Sequence, residues 1–138
     1  TIVSFLREKQ IKTAVVTDCY QRLANDLKRR LGLDYAFGNR LSIVNQLVTG
    51  DLLYPNTALS QNSDGKIYSI NKKSVLEFLC MIMDISTSDV IAVGDSFVDI
   101  DMLESAGIGI AYKAPIDVQL HADIATDDLR VIFNYIYH

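Results

Sequence analysis

The chain has 138 residues, 49% of them hydrophobic, and a net charge of −4 with a pI near 5.0. That size suits one compact domain over 1–138 with a core of its own, and the acidic balance leaves no electrostatic attraction to nucleic-acid phosphates or to an anionic membrane surface. Small molecules are the expected partners, with no nucleic acid and no membrane among them; neither a membrane-length apolar run nor a basic leader is present, so a cytoplasmic protein is expected.

From the N-terminus, Ile2, Phe5 and Leu6 already repeat at helical spacing, so the sequence reads as opening inside an element, with a segment expected upstream of Thr1. A helix over 2–9 leads to a strand over 12–17, where Thr13-Ala14-Val15-Val16 has the unbroken character of a buried parallel strand. A helix over 18–31 follows, with Tyr20, Leu23, Ala24, Leu27 and Leu31 on one face and Arg22, Asp26, Lys28 and Arg29 opposite; Gly32 ends it. Over 39–70, short strands and turn signals at Gly38-Asn39, Thr49-Gly50-Asp51 and Asn62-Ser63-Asp64-Gly65 predict a small hairpin and a polar loop. Helical spacing returns at Val75, Leu76, Leu79, Ile82 and Met83. A strand over 90–93, a helix over 97–105, strands over 107–111 and 122–125, and a last helix aligning Leu129, Ile132, Phe133 and Ile136 complete the pattern. Such alternation indicates an α/β fold with a doubly wound, mostly parallel, Rossmann-like sheet. Cys19 and Cys80 are far apart and lack Cys-x-x-Cys spacing, which argues against zinc or a disulfide.

In such sheets the ligand site lies beyond the carboxyl ends of the strands. Two strands end there in polar residues, Val15-Val16-Thr17-Asp18 and Ala92-Val93-Gly94-Asp95, and the second is followed by Asp99. Asp18 or Asp95 alone reads equally as a helix N-cap. Asp95 and Asp99 together are harder to dismiss, because carboxylates four apart across a strand-to-helix turn repel unless a cation lies near them; hard oxygen ligands suit Mg2+. Lys72 or Lys73, at a helix start, offers a compact cation for a phosphoryl group, and Thr17 a hydroxyl for the same oxygens.

Thr17 after an apolar strand, Lys72 at a helix start and Gly94-Asp95-x-x-x-Asp99 after a second strand resemble, in that order, three motifs of haloacid dehalogenase superfamily phosphatases. The resemblance is greatest to the phosphoserine phosphatase branch and extends to Leu31-Gly32-Leu33-Asp34-Tyr35-Ala36-Phe37 with Asn39, to Ala106-Gly107-Ile108-Gly109-Ile110-Ala111 and to Asp128-Leu129-Arg130. Thr17-Asp18-Cys19 stands where that branch usually has Ser-Gly-Gly, and Val98 where it usually has asparagine; Asp18 and Gly94-Asp95-Ser96-Phe97 are more similar to a related phosphoserine and homoserine phosphotransferase group.

The resemblance implies hydrolysis of a small-molecule phosphate monoester through an aspartyl-phosphate. It implies Thr17, Lys72 and Asp95 as catalytic residues, Thr17, Asp18 and Lys72 around the phosphate, and Asp95 and Asp99 at the Mg2+. Lys72 is preferred to Lys73 because the family pattern brings it onto the motif position. The family's nucleophile belongs to an Asp-x-Asp motif on a central strand that no segment before Thr17 supplies, so an N-terminal segment or a second chain is expected to complete the sheet. Without it, the edges at Ala14–Val16 and Ile91–Val93 are expected to be filled by another segment or to close on each other. His121 and His138 are isolated in sequence and are not expected to act in catalysis. Two other readings compete. One is a receiver-like signalling domain, whose Lys-Pro feature Tyr112-Lys113-Ala114-Pro115 faintly resembles; the other is a non-catalytic phosphate-binding or partner-binding module of the same fold.

Overall fold

The computed structural model describes residues 1–52 and 70–136, without the side chains of 50–52. The turn expected at Asn62-Ser63-Asp64-Gly65 lies outside the described residues, as does His138. The chain divides into two compact units, Thr1–Asn71 and Lys72–His138.

In the first unit, α1 (Ile2–Glu8) starts at Thr1, whose hydroxyl oxygen accepts the Ser4 N–H. Strand β1 (Ala14–Tyr20) lies parallel to β2 (Tyr35–Asn39), with α2 (Gln21–Leu31) packed on both. The strand runs through Asp18 and Cys19, so the helix opens at Gln21 rather than at Asp18. Tyr20, counted in the helical face, is instead the last extended residue and is 55% exposed. Gly32 ends α2 in the left-handed region at φ 70, where a side chain would be strained. The Arg7 guanidinium donates to the Gly32 carbonyl, and Asp26 pairs with Arg29 and Arg30 on the solvated face.

The hairpin pairs β3 (Leu41–Val44) with β4 (Leu47–Leu52), antiparallel. Its turn is Asn45-Gln46, both at positive φ (50 and 64), as a two-residue turn matching strand twist requires. The turns expected at Gly38-Asn39 and Thr49-Gly50-Asp51 are corrected: the first pair ends β2 and the second set lies within β4. Gly38 is needed for close approach, since a Cβ there would sit 2.6 Å from the Cys19 carbonyl oxygen.

Asp34 joins the starts of β1 and β2, its carboxylate accepting the Thr13 N–H (2.9 Å), the Thr13 hydroxyl (3.1 Å) and the Lys12 ammonium (3.1 Å). Burial pushes its pKa up, but these donors outweigh burial and hold it below 3.8. The unfolded chain therefore binds this proton more readily. The stabilisation is present above the ordinary aspartate value and is lost as pH falls through the lower, folded one. Urea midpoints measured from about pH 5 down to about pH 2 are expected to fall more steeply for the wild type than for Asp34→Asn.

In the second unit, α3 (Lys72–Met83) precedes β5 (Ile91–Gly94), α4 (Ile100–Ser105), β6 (Ile108–Tyr112), α5 (Ile116–Gln119) and β7 (Ile124–Thr126). The three strands form a parallel sheet in the order β5-β6-β7. Leu76 and Cys80 of α3, Ala92, Met102, Leu103, Ala111, Ala114 and Val118 make its core; a fully buried leucine such as Leu103 contributes about 1.5–3 kcal/mol. The final helix expected from Leu129, Ile132, Phe133 and Ile136 is a 3-10 helix, Leu129–Tyr135, and α5 was not expected.

Among the described residues no further strand fills either of the two edges. Among the described residues β1 is laddered only to β2, and β5 only to β6. Yet Val15 and Val16 are half-buried and Ala92 is buried, because helices cover the faces of a strand whether or not its backbone edge is paired. Also among the described residues, no helix is long and apolar enough to cross a membrane.

Candidate active site

In the second unit, the carboxyl end of β5 is built around Asp99. Its side chain is 3% exposed, and Oδ1 accepts the Lys72 ammonium at 2.5 Å, with the Lys72 side chain 12% exposed. Oδ2 accepts the backbone N–H groups of Asp95 (2.9 Å) and Ser96 (3.0 Å) and the Ser96 hydroxyl (3.3 Å). Burial raises the Asp99 pKa, but the Lys72 ammonium and these N–H donors outweigh it, so the carboxyl stays below its usual value. Gly94 makes room for this knot, since a Cβ there would lie 2.5 Å from Asp99 Cβ and 2.8 Å from Oδ2.

The local sequence explains the geometry. The apolar strand Ile91-Ala92-Val93 ends at a glycine, and Phe97–Asp99 forms a 3-10 turn before α4, which brings the Asp99 carboxylate back to the N–H groups of Asp95 and Ser96. Asp95 does not take the N-cap place read for it: Ser96 caps the 3-10 turn, with Asp99 completing the capping box, and Asp95 is exposed just ahead.

Lys72, Asp95 and Asp99 are therefore brought together, Asp95 through its backbone. Lys73 is exposed. Asp99 has both oxygens engaged, which suits a supporting position rather than direct coordination of a cation, while Asp95 presents an exposed carboxylate. One carboxylate with open surroundings fits Mg2+, which keeps several waters and takes phosphate oxygens; a full protein cage is not required. Among the described residues no group of three or more His, Cys, Asp or Glu side chains converges as one.

In the first unit, Thr17 and Asp18 lie in β1 just past its regular ladder to β2. The Thr17 Oγ accepts the Cys19 N–H at 3.1 Å, and the Asp18 carboxylate accepts the Ile70 N–H at 3.2 Å, 52 residues away, so Asp18 caps no helix. Two contributors carried no role in the sequence reading. Ser96 donates twice to Asp99, and Asn39, 4% exposed, donates its amide to the Asp18 carbonyl at 2.7 Å. A buried asparagine at the end of a strand is the signal that points to the second. His121, read as lacking an orienting partner, has one: its Nδ1 lies 2.5 Å from Glu104 Oε1, with both side chains exposed.

Comparison with known proteins places these features in context. The model of a family described as haloacid dehalogenase-like hydrolase matches residues 59–129. A phosphoserine phosphatase of Methanocaldococcus jannaschii is 37% identical over 133 residues, 95% of this chain and 58% of that protein. A solved structure described as a phospho-aspartyl intermediate analogue of phosphoserine phosphatase superposes with TM-score 0.75 at 33% identity, covering 97% of this chain and 60% of the other. A HAD family hydrolase from Salmonella enterica serovar Typhi superposes with TM-score 0.79 at 28% identity, covering 99% of this chain and 44% of the other. In each case the chain spans less than two thirds of its relative's length. These likenesses agree with the parallel sheets and packed helices described above as an α/β fold of Rossmann type.

Proposed function

This chain belongs to the haloacid dehalogenase-like hydrolases, and on that premise we propose that the intact protein hydrolyses a small phosphate monoester, of the phosphoserine class, through an aspartyl-phosphate. The observation that carries the reading is the buried Lys72–Asp99 pair, which locks the end of β5 beneath the exposed Asp95. Its substrate class is taken from the phosphoserine phosphatases that the chain resembles.

Lys72 spends one ammonium hydrogen on Asp99 and keeps others to donate to an equatorial phosphoryl oxygen and to the attacking carboxylate. The family resemblance gives Thr17 the role of a hydroxyl donor toward a phosphoryl group. Asp95 would hold the Mg2+, with Asp99 fixing the backbone from which Asp95 projects. Bound there, the metal would offset charge on the phosphoryl group. We place the nucleophilic Asp-x-Asp outside residues 1–138. In support, no strand among the described residues ends in that pattern; Asp99-Ile100-Asp101 has the spacing but enters α4, with Asp99 already paired.

The test is release of inorganic phosphate from O-phosphoserine. The intact protein is expected to turn over with Mg2+ and to stop when the metal is chelated. Residues 1–138 alone are expected to be inert, and turnover by them would overturn the placement of the nucleophile.

A further inference from the structure

We propose that Asn39 and Asp18 are positioning residues that clamp the end of β1, so that Thr17 meets the phosphoryl group as a hydrogen donor; the assignment rests on the phosphatase reading above. The β1–β2 ladder is regular at Ala14↔Tyr35, Val15↔Ala36 and Val16↔Phe37 and resumes only at Tyr20↔Asn39. Thr17, Asp18 and Cys19 thus fall in the irregularity, where the neighbouring strand does not fix the backbone by register. Such breaks re-aim side chains at functional strand ends, but an unladdered stretch holds its aim only if something else restrains it.

Three interactions do so. The Asn39 amide donates to the Asp18 carbonyl at 2.7 Å from a buried position. The Asp18 carboxylate turns to the backbone and accepts the Ile70 N–H at 3.2 Å, tying β1 to the segment two residues ahead of Lys72 in the chain. The Thr17 Oγ accepts the Cys19 N–H, and a hydroxyl whose oxygen is so used still has its hydrogen to give. Gly38 lets β2 approach closely enough, and Gln21 holds it there by accepting the Gly38 N–H and donating to the Ala36 carbonyl. A carboxylate would repel a phosphate dianion, so Asp18 serves the site better as an acceptor for backbone N–H than as a phosphate ligand.

The experiment combines kinetics of the intact protein with amide hydrogen exchange. Asp18→Ala and Asn39→Ala are expected to lower kcat per folded molecule by about 10- to 100-fold with little change in KM, as for misplacement of a transition-state contact. Asp18→Asn, which keeps the acceptor oxygen, is expected to restore most of that loss. The Ile70 amide is expected to exchange slowly in the wild type and in Asp18→Asn, and about 10-fold or more faster in Asp18→Ala. An Asn variant as damaged as the Ala variant would mean that charge, not acceptance, matters and would overturn the proposal. So would an Ile70 amide that exchanges freely in the wild type. If the wild type releases no phosphate, the phosphatase reading fails, and the exchange measurement still decides whether the clamp exists.

Discussion

Lys72→Met is expected to lower the unfolding free energy by about 3–5 kcal/mol, the usual consequence of leaving one partner of a buried ion pair without the other. Asp99 is almost wholly buried, and the Lys72 ammonium is the cation that meets its Oδ1 at 2.5 Å. The N–H groups of Asp95 and Ser96 remain on Oδ2, which pulls the loss toward the lower end of that range. Urea denaturation at neutral pH measures it. In the intact protein the same substitution is expected to reduce phosphate release by about 100-fold or more, as removal of a transition-state donor does. Lys73→Met, at an exposed position, is expected to stay within about 0.5 kcal/mol of wild type and to keep its turnover. If the two substitutions exchange their effects, the assignment of the lysine is off by one residue.

The second large effect is expected from Gly94→Ala. A Cβ at this position would lie 2.5 Å from Asp99 Cβ and 2.8 Å from both Cγ and Oδ2, so either β5 or the Asp99 side chain has to move. Overpacking of this kind costs about 1–3 kcal/mol. Asp99 cannot shift without loosening its hold on Lys72 and on the backbone beneath Asp95, so a further loss of about 100-fold in kcat is expected from misplacement alone. Retention of both stability and turnover in this variant would show that the knot at the end of β5 is far more compliant than its packing indicates.

Much of this architecture was legible because the long apolar patterns are unambiguous: Thr13–Val16 and Val90–Val93 mark strands, and Val75, Leu76, Leu79, Ile82 and Met83 mark a helix. The misreadings have local causes. Gly50 imitates a turn but sits in β4, while the actual turn uses Asn45-Gln46, which lacks the glycine that usually announces one. The last helix was misread for a different reason: it spans only Leu129–Tyr135, and over one or two turns the three-residue period of a 3-10 helix is hard to tell from 3.6. At the site, the spacing of Asp95 and Asp99 was read as calling for a cation, with Mg2+ as the candidate. The structure answers with Lys72, 27 residues from Asp99, for the buried one. A pairing so distant in sequence leaves no periodic trace, and neither does the bond from Asp18 to Ile70.

Because Asp99 is matched by the Lys72 ammonium, the two together act toward their surroundings as a neutral dipole rather than as a charge. Of the two carboxylates at the end of β5, the Lys72 ammonium compensates Asp99 and leaves Asp95 as the one open to a cation, where the sequence alone would suggest two. Bringing one divalent ion to that group would reverse the sign of the local field, with the neighbouring acid already silenced inside the protein.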